Sequence, residues 1–104
     1  MKIVFLYTAR AMKYCKWFWD ESLGGDFDEW GTSTYFMEIN DNSRVVRQIE
    51  VYENGNVLFY DAAHFGDDYG MLSDKRMSKE DIQEFEITKA EFELIWNTKT
   101  PINR

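Results

Sequence analysis

An Asn-Gly pair between two strand-like segments constrains the fold of this chain most strongly. Asn54 and Gly55 separate Val45–Tyr52 from residues 57–60, and both segments are rich in β-branched and aromatic residues. Such a pair favours a tight turn because both of its residues tolerate positive φ. The sequence therefore predicts an antiparallel β-hairpin at this point in the chain.

Side chains in Val45–Tyr52 alternate between two sets, as expected for a strand with two faces. The more apolar set comprises Val45, Arg47, Ile49 and Val51. The other set comprises Val46, Gln48, Glu50 and Tyr52. We expect the more apolar set to face the core.

Further strands and loops can be placed on either side of the hairpin. The alternation of side chains predicts strands at Lys13–Trp19, at residues 34–39 and, more briefly, at residues 85–87. Polar residues predict a turn at 40–43, because Asn, Asp and Ser side chains bond to their own backbone. Acidic, glycine-bearing loops are predicted at residues 20–33 and 61–76.

The end of the chain changes to a helical pattern. Thr88 and Glu91 form a capping box, which predicts a helix that ends near Asn97. Ser78 and Asp81 indicate a shorter helical turn before it. The predicted architecture is an α+β fold: an antiparallel β-sheet meander of about four to five strands with a C-terminal α-helix packed on it. A chain of 104 residues forms a single domain.

The negative charge is concentrated in two segments. The net charge is −7, yet residues 17–43 hold seven acids and no Lys or Arg, and residues 48–74 hold six acids and no Lys or Arg. Phosphate binding requires clustered Lys and Arg, so nucleic acid is not expected as a direct partner. Aromatic residues make up 17% of the chain, which excludes a disordered acidic tail.

Acidic loops that carry exposed-type aromatic residues suggest a surface for a basic protein. Carboxylates without counter-charges speed association with a cationic partner, and aromatic residues often dominate the affinity of an interface. The predicted contact residues are Asp20, Glu21, Asp26, Asp28, Glu29 and Trp30 from the first loop, with Asp67, Asp68 and Tyr69 from the second. The alternative is that these loops are merely solvated.

Catalytic and metal-binding patterns are weak. His64 is the only histidine, and Asp61, Asp67 and Asp68 lie near it, so a small hydrolase stays open as an alternative. A non-catalytic adaptor module is a second alternative. The loop acids do not follow the spacing of a calcium-binding loop, and Cys15 has no zinc-ligand spacing. We therefore expect no enzyme activity, no cofactor and no metal.

The first residues allow two interpretations. Residues 1–11 form either an edge strand at 3–7 or an extension that precedes a natural start at Met12. Their apolar stretch is too short for a secretory signal and for a membrane span. A single cysteine also suits a reducing compartment. The sequence predicts a cytoplasmic protein that does not bind membranes.

Three blocks of sequence resemble a family of small bacterial domains of unknown function. Residues 13–19 resemble the family's start, residues 38–40, 47–52 and 54–55 its central block, and residues 86–96 its closing helix. The resemblance covers about residues 12–97 and implies that the core of the domain lies in this range. The chain departs from the family pattern at Asn40 and Asn54, where the family usually has Asp.

Members of this type resemble bacterial immunity proteins, including those that neutralise toxins of contact-dependent growth inhibition. The resemblance implies a cytoplasmic antitoxin that binds a basic toxin C-terminal domain, often a nuclease. It implies no catalytic motif and assigns no interface residue. Together with the charge pattern, it predicts an immunity protein that occludes the toxin's active site with acidic and aromatic loops.

Overall fold

The computed structural model describes residues 12–104, in which five antiparallel strands form one sheet. The predicted strand or extension at residues 1–11 lies outside the described residues. The strands are β1 (Lys13–Trp19), β2 (Ser33–Ile39), β3 (Val45–Tyr52), β4 (Val57–Asp61) and β5 (Glu86–Ile87). The helices are α1 (Lys79–Glu84) and α2 (Lys89–Thr98), and a 3-10 helix covers Gly25–Trp30. The predicted α+β fold with a C-terminal helix is confirmed.

The strand order is β4-β3-β2-β1-β5. Strands β1 to β4 are the predicted meander, and each pairs with the next along the chain. Strand β5 returns to the far side of β1, where it pairs with Tyr14 and Cys15. This return places the start of α2 directly after the sheet edge.

The hairpin between β3 and β4 forms as predicted, with a different turn geometry. The Gly55 amide donates to the Tyr52 carbonyl, and the Tyr52 amide donates to the Asn56 carbonyl, both at 2.9 Å. Gly55 has φ of 96°, whereas Asn54 does not take positive φ. The turn therefore needs one left-handed residue, where the sequence suggested two.

Helix α2 begins at its predicted cap and covers one face of the sheet. The Thr88 hydroxyl accepts a hydrogen bond from the Glu91 amide at 3.1 Å. Phe92 is fully buried against Tyr14, with ring centroids 5.3 Å apart. Trp96 stacks on Phe59 of β4 at 4.5 Å. These aromatic contacts join the helix to strands at both sides of the sheet.

Arg47 of β3 connects this helix to the sheet. Its guanidinium forms a bidentate pair with Glu38 of β2, with Nε–Oε1 at 2.6 Å and Nη2–Oε2 at 3.0 Å. It also bonds to Glu93 of α2 at 2.7 Å. The same group lies 4.8 Å from the ring centroids of Phe92 and Trp96. Hydrogen bonds from Arg47 and Tyr14 outweigh the burial of Glu38 and lower the pKa of that carboxyl.

The expectation that β3 has one core face is wrong, because both faces are covered. Gln48, Glu50 and Tyr52 are 2%, 5% and 3% exposed. Residues 61–78 and α1 pack over this second face through Leu72, Met77 and Ile82, which sequence alternation cannot reveal.

Val45 also departs from its predicted face. The register shifts between Glu38 and Ile39, so Arg47 pairs with Glu38 while Val45 pairs with Ile39. Val45 consequently packs with Met37 and Ile39 on the second face, not with Ile49. A bulge of this kind adds one residue to a strand and moves the following side chains to the opposite face.

Residues 102 and 103 run along the outer side of β4. The Ile102 amide donates to the Val57 carbonyl at 2.9 Å. The Asn103 side chain accepts from the Phe59 amide and donates to the Phe59 carbonyl, both at 3.0 Å. Backbone groups of this edge strand are therefore satisfied within the chain.

Replacement of Arg47 tests its role in joining the sheet and helix. Arg47→Ala leaves Glu38, which is 8% exposed, without a cation. We expect a loss of about 3–5 kcal/mol in the free energy of unfolding, measured by urea denaturation, because an uncompensated buried charge is costly. Arg47→Lys should retain part of the stability that Arg47→Ala loses, but not all of it, since an ammonium group cannot form the bidentate pair. The exposed control Lys99→Ala should change stability by no more than about 0.5 kcal/mol, and an equal effect of both variants would contradict the assignment.

Candidate functional site

The two acidic loops meet at a cluster of aromatic rings. Trp30 of the first loop lies 5.5 Å from Tyr69 of the second, and Phe27 lies 5.9 Å from Tyr69. Trp30 also packs edge-on against Tyr52 of β3 at 5.0 Å. Segments that are some 40 positions apart in the sequence thus form one side of the molecule.

The first loop is held in place by the β3–β4 hairpin. The Glu53 carboxylate accepts from the Thr32 amide at 3.1 Å, and the Asn54 amide donates to the Trp30 carbonyl at 3.1 Å. Gly31 has φ of 79°, and a Cβ at this position would clash with the Glu53 side chain. Only glycine fits here, so the 3-10 helix is brought close against the hairpin.

The second loop is organised by Asp67. Its Oδ2 lies 2.7 Å from His64 Nε2 and accepts from Asn103 Nδ2 at 2.9 Å. Its Oδ1 accepts from the Tyr60 hydroxyl at 2.8 Å and from the amides of Tyr69 and Gly70. Burial tends to raise the pKa of Asp67, but hydrogen bonds from His64, Asn103 and Tyr60 outweigh it and hold this pKa well below its usual range. Asp67 therefore fixes the loop on β4.

The remaining predicted carboxylates make few or no hydrogen bonds to other side chains. Within residues 12–104, no side-chain hydrogen bond or ion pair is made by Asp20, Glu21, Asp26, Glu29 or Asp68. Asp28 accepts from the Ser22 hydroxyl at 2.6 Å. Trp30 is half-buried in the aromatic cluster, whereas Tyr69 is 36% exposed. We call the exposed acids of the first loop, together with Asp68 and Tyr69, the acidic-loop surface.

A cavity of about 680 Å³ lies beside this surface, between the second face of the sheet and the second loop. Its aromatic walls are formed by Trp17, Trp19, Tyr35 and Tyr69. Its aliphatic walls are formed by Leu23, Met37, Met71 and Met77. Its buried polar groups belong to Gln48 and Glu50. The rest of the lining consists of Gly70, Ser73, Lys75, Arg76, Ser78 and Asp81. We call it the Glu50 cavity. Leu23 and Tyr69 belong to the two acidic loops, so the cavity is continuous with the acidic-loop surface.

Glu50 is a buried acid whose hydrogen-bond partners within residues 12–104 are neutral groups. Its carboxylate accepts from the Tyr52 hydroxyl at 2.5 Å and from Gln48 Nε2 at 2.7 Å. Burial raises the pKa of Glu50, and the hydrogen bonds from Tyr52, Gln48 and Tyr35 oppose this only in part. Among the described residues, no ion pair reaches Glu50, whereas Glu38 on the other face has Arg47.

Sequence reasoning missed the Glu50 cavity. The sequence contained a signal for a buried second face. Gln48 and Glu50 alternate with apolar residues in β3, and β3 lies in the interior of the sheet between β2 and β4. The second face was assumed to meet solvent, where such polar residues need no explanation.

The hydrolase alternative gains little from the position of His64. Its Nε2 is bonded to Asp67, and its ring stacks on Tyr60 with centroids 6.0 Å apart. No Ser, Thr or Cys side chain is hydrogen-bonded to His64 in the described part of the chain. Cys15 is fully buried on the second face and donates to the Ile82 carbonyl at 3.6 Å. The arrangement suits a structural histidine that secures a loop.

A second cavity, of about 810 Å³, lies between the start of β1, β5 and the beginning of α2. Its walls are largely exposed side chains of both signs, including Lys13, Glu86 and Lys89. Met12, the first described residue, forms one wall. It offers no buried, unpaired charge of the kind found in the Glu50 cavity.

Comparisons with known proteins give no match to a family model, a curated protein or a solved structure. Within residues 12–104, no helix is long and apolar enough to cross a membrane. The same residues contain no cluster of three or more His, Cys, Asp or Glu side chains suited to a metal ion.

The pH dependence of stability tests the role of Asp67. A carboxyl group whose pKa is lowered by folding stabilises the fold at pH values above its unfolded pKa, about 3.8, and loses this effect as the pH falls below that value. At pH 7 we expect Asp67→Asn to cost about 1.5–3 kcal/mol in the free energy of unfolding. The difference from wild type should shrink below about pH 4. The exposed neighbour offers a control, since Asp68→Asn should change stability by no more than about 0.5 kcal/mol. A cost at Asp67 that does not vary with pH would argue against this role.

The thiol of Cys15 should be unreactive in the folded protein. Burial raises its pKa to about 11, and the nearby carboxylates of Glu86 and Asp81 add to this effect. Because the thiolate is the reactive form, Ellman's reagent at pH 8 should label the thiol only after unfolding in urea. Rapid stoichiometric labelling of the native protein would show that Cys15 is accessible.

Proposed function

We propose that this protein is an immunity protein that binds and neutralises a cognate basic toxin domain, a nuclease of a contact-dependent growth inhibition system. The observation that carries the proposal is the meeting of the two acidic loops at Trp30 and Tyr69. Trp30 and Tyr69 lie in two segments, residues 17–43 and 48–74, that each lack Lys and Arg. The family resemblance of the sequence supports the same role.

Charge complementarity explains how such a surface would select its partner. A nuclease binds phosphates with clustered Lys and Arg. The free carboxylates of Asp26, Glu29 and Asp68 would occupy the same cationic cleft in place of phosphates. Their combined field would accelerate encounter and would reject acidic proteins.

The aromatic cluster supplies rigidity to this surface. Trp30 is packed between Tyr52 and Tyr69, so its main role is to hold the loops together. Tyr69 is the more exposed ring and is the better candidate for direct contact. An interface that is already ordered loses less conformational entropy on binding.

An adaptor module without a toxin is the competing non-catalytic role. A toxin gene next to the gene for this protein distinguishes the two, because immunity proteins are needed where their toxins are made. The proposed activity is exerted in the cytoplasm by binding alone, without a cofactor.

Charge reversal of the acidic-loop surface tests the proposal. The variant Asp26→Lys/Glu29→Lys/Asp68→Lys should bind the toxin domain encoded beside this protein at least about tenfold more slowly at low salt, because electrostatic steering speeds association by about 10–1,000-fold. Its association rate should also depend less on salt. Stopped-flow fluorescence gives the rate, and a nuclease assay gives the loss of inhibition.

The control carries the same charge change away from this surface. Asp41, Glu80 and Glu84 are exposed in the β2–β3 turn and in α1, so their reversal to Lys should leave the association rate within about twofold. Equal slowing by both triple variants would remove the site assignment. Absence of any binding to the neighbouring toxin would remove the immunity role.

A further inference from the structure

Among the described residues, no cation pairs with the buried acid on the second face of the sheet, whereas Arg47 pairs with the buried acid on the first. On the first face, Glu38 is buried and is paired with the guanidinium of Arg47, which also stacks on aromatic rings. On the second face, Glu50 is equally buried and is surrounded by aromatic rings, but its partners are Tyr52 and Gln48. Buried carboxylates are normally paired with a cation, since the transfer of an unpaired charge from water is costly.

We infer that the Glu50 cavity binds the guanidinium group of an arginine side chain presented by the basic partner. This inference rests on the proposed function for the identity of the partner, while the site itself is formed by this chain alone. The arginine would pair with Glu50 as Arg47 pairs with Glu38. It would be an anchor at the centre of the interface, where buried arginines often dominate affinity.

The shape and lining of the cavity suit a guanidinium. The aromatic lining includes Trp17, Trp19 and Tyr35, and arginine stacks on aromatic rings more readily than lysine does. A carboxylate can accept about four hydrogen bonds, and the bonds from Tyr52, Gln48 and Tyr35 leave capacity for a further donor. Met71 and Met77 line the cavity beside them, and their flexible side chains can adjust to the methylene stem of an arginine.

The charges around the cavity divide into two groups. On the side of the acidic loops, Leu23 and Tyr69 of the lining are close in sequence to Glu21 and Asp68, whose carboxylates favour the approach of a cation. On the other side, Asp81 lines the cavity together with the exposed side chains of Lys75 and Arg76. Neither of these two cations forms an ion pair with Glu50. Both would repel an incoming arginine, whereas Asp81 would attract it.

A peptide titration tests this site without the toxin. The protein labelled with 13C at its methionine methyl groups would be titrated with acetyl-Gly-Arg-Gly-amide. Met37, Met71 and Met77 line the cavity, whereas Met12 does not and serves as an internal reference. We expect shifts at the three lining methyl groups only. The matched peptide with citrulline, which has the shape of arginine without its charge, should bind at least about tenfold more weakly.

Two variants assign the effect to Glu50. Glu50→Gln should weaken binding of the arginine peptide at least about tenfold, and its amide can keep both existing contacts because the Tyr52 hydroxyl can accept as well as donate. The same change at exposed Glu84 should leave affinity within about twofold. Lys75→Ala/Arg76→Ala should strengthen binding, since it removes like charge from the lining.

The possible results separate the two proposals. Equal shifts with arginine and citrulline in the wild-type protein would overturn the inference, as would unchanged affinity in Glu50→Gln. Weaker binding after Lys75→Ala/Arg76→Ala would also count against it. Because no toxin is present, a failed immunity role would leave these titrations unaffected. Conversely, inhibition of the toxin by Glu50→Gln at wild-type strength would leave the immunity role intact and exclude the arginine anchor.

Discussion

The guanidinium of Arg47 joins three elements, and the rest of the fold is built around that connection. It links β2 through Glu38, lies in β3 itself, and reaches α2 through Glu93. Helix α2 has only ten residues, and a helix of that length is marginal in water without tertiary contacts. The ion pairs of Arg47 and its stacking on Phe92 and Trp96 therefore supply the tertiary contacts that stabilise this short helix.

The two faces of the sheet are stabilised by different means. A regular helix covers the first face with aromatic packing, while irregular chain covers most of the second. There, Gln48 accepts from the Ser73 amide at 2.9 Å and donates to the Met71 carbonyl at 3.2 Å. Polar side chains of the sheet thus satisfy the backbone of the loop above them, as buried backbone groups require. A face covered in this way can keep a cavity that close helix packing would fill.

Most of the architecture could be predicted from local sequence signals. The Asn54-Gly55 pair, the Thr88 cap and the side-chain alternation in β1 and β3 each depend on neighbouring residues, which the sequence displays directly. The bulge that moves Val45 depends on pairing between strands, and the 3-10 helix at Gly25–Trp30 depends on the contact of Gly31 with Glu53. Contacts between residues that are distant along the chain leave no periodic pattern in the sequence.

Part of the candidate site could be predicted from the sequence. Charge counting identified both acidic loops, but it could not show that Trp30 and Tyr69 meet or that Asp67 points inward to Tyr60, His64 and Asn103. Whether a loop carboxylate faces solvent or binds its own loop depends on tertiary geometry. Glu50 escaped notice for the same reason, because its burial depends on loop residues more than 20 positions away.

The course of residues 102 and 103 along β4 bears on how the protein behaves in a crowded solution. An outer strand with unpaired backbone groups is a template on which other chains can add, and this is a common origin of aggregation. Here the Asn103 amide imitates the hydrogen bonds of a neighbouring strand at Phe59, and Ile102 continues the pattern at Val57. Residues 102 and 103 thus occupy backbone groups of β4 that a further strand would need for pairing.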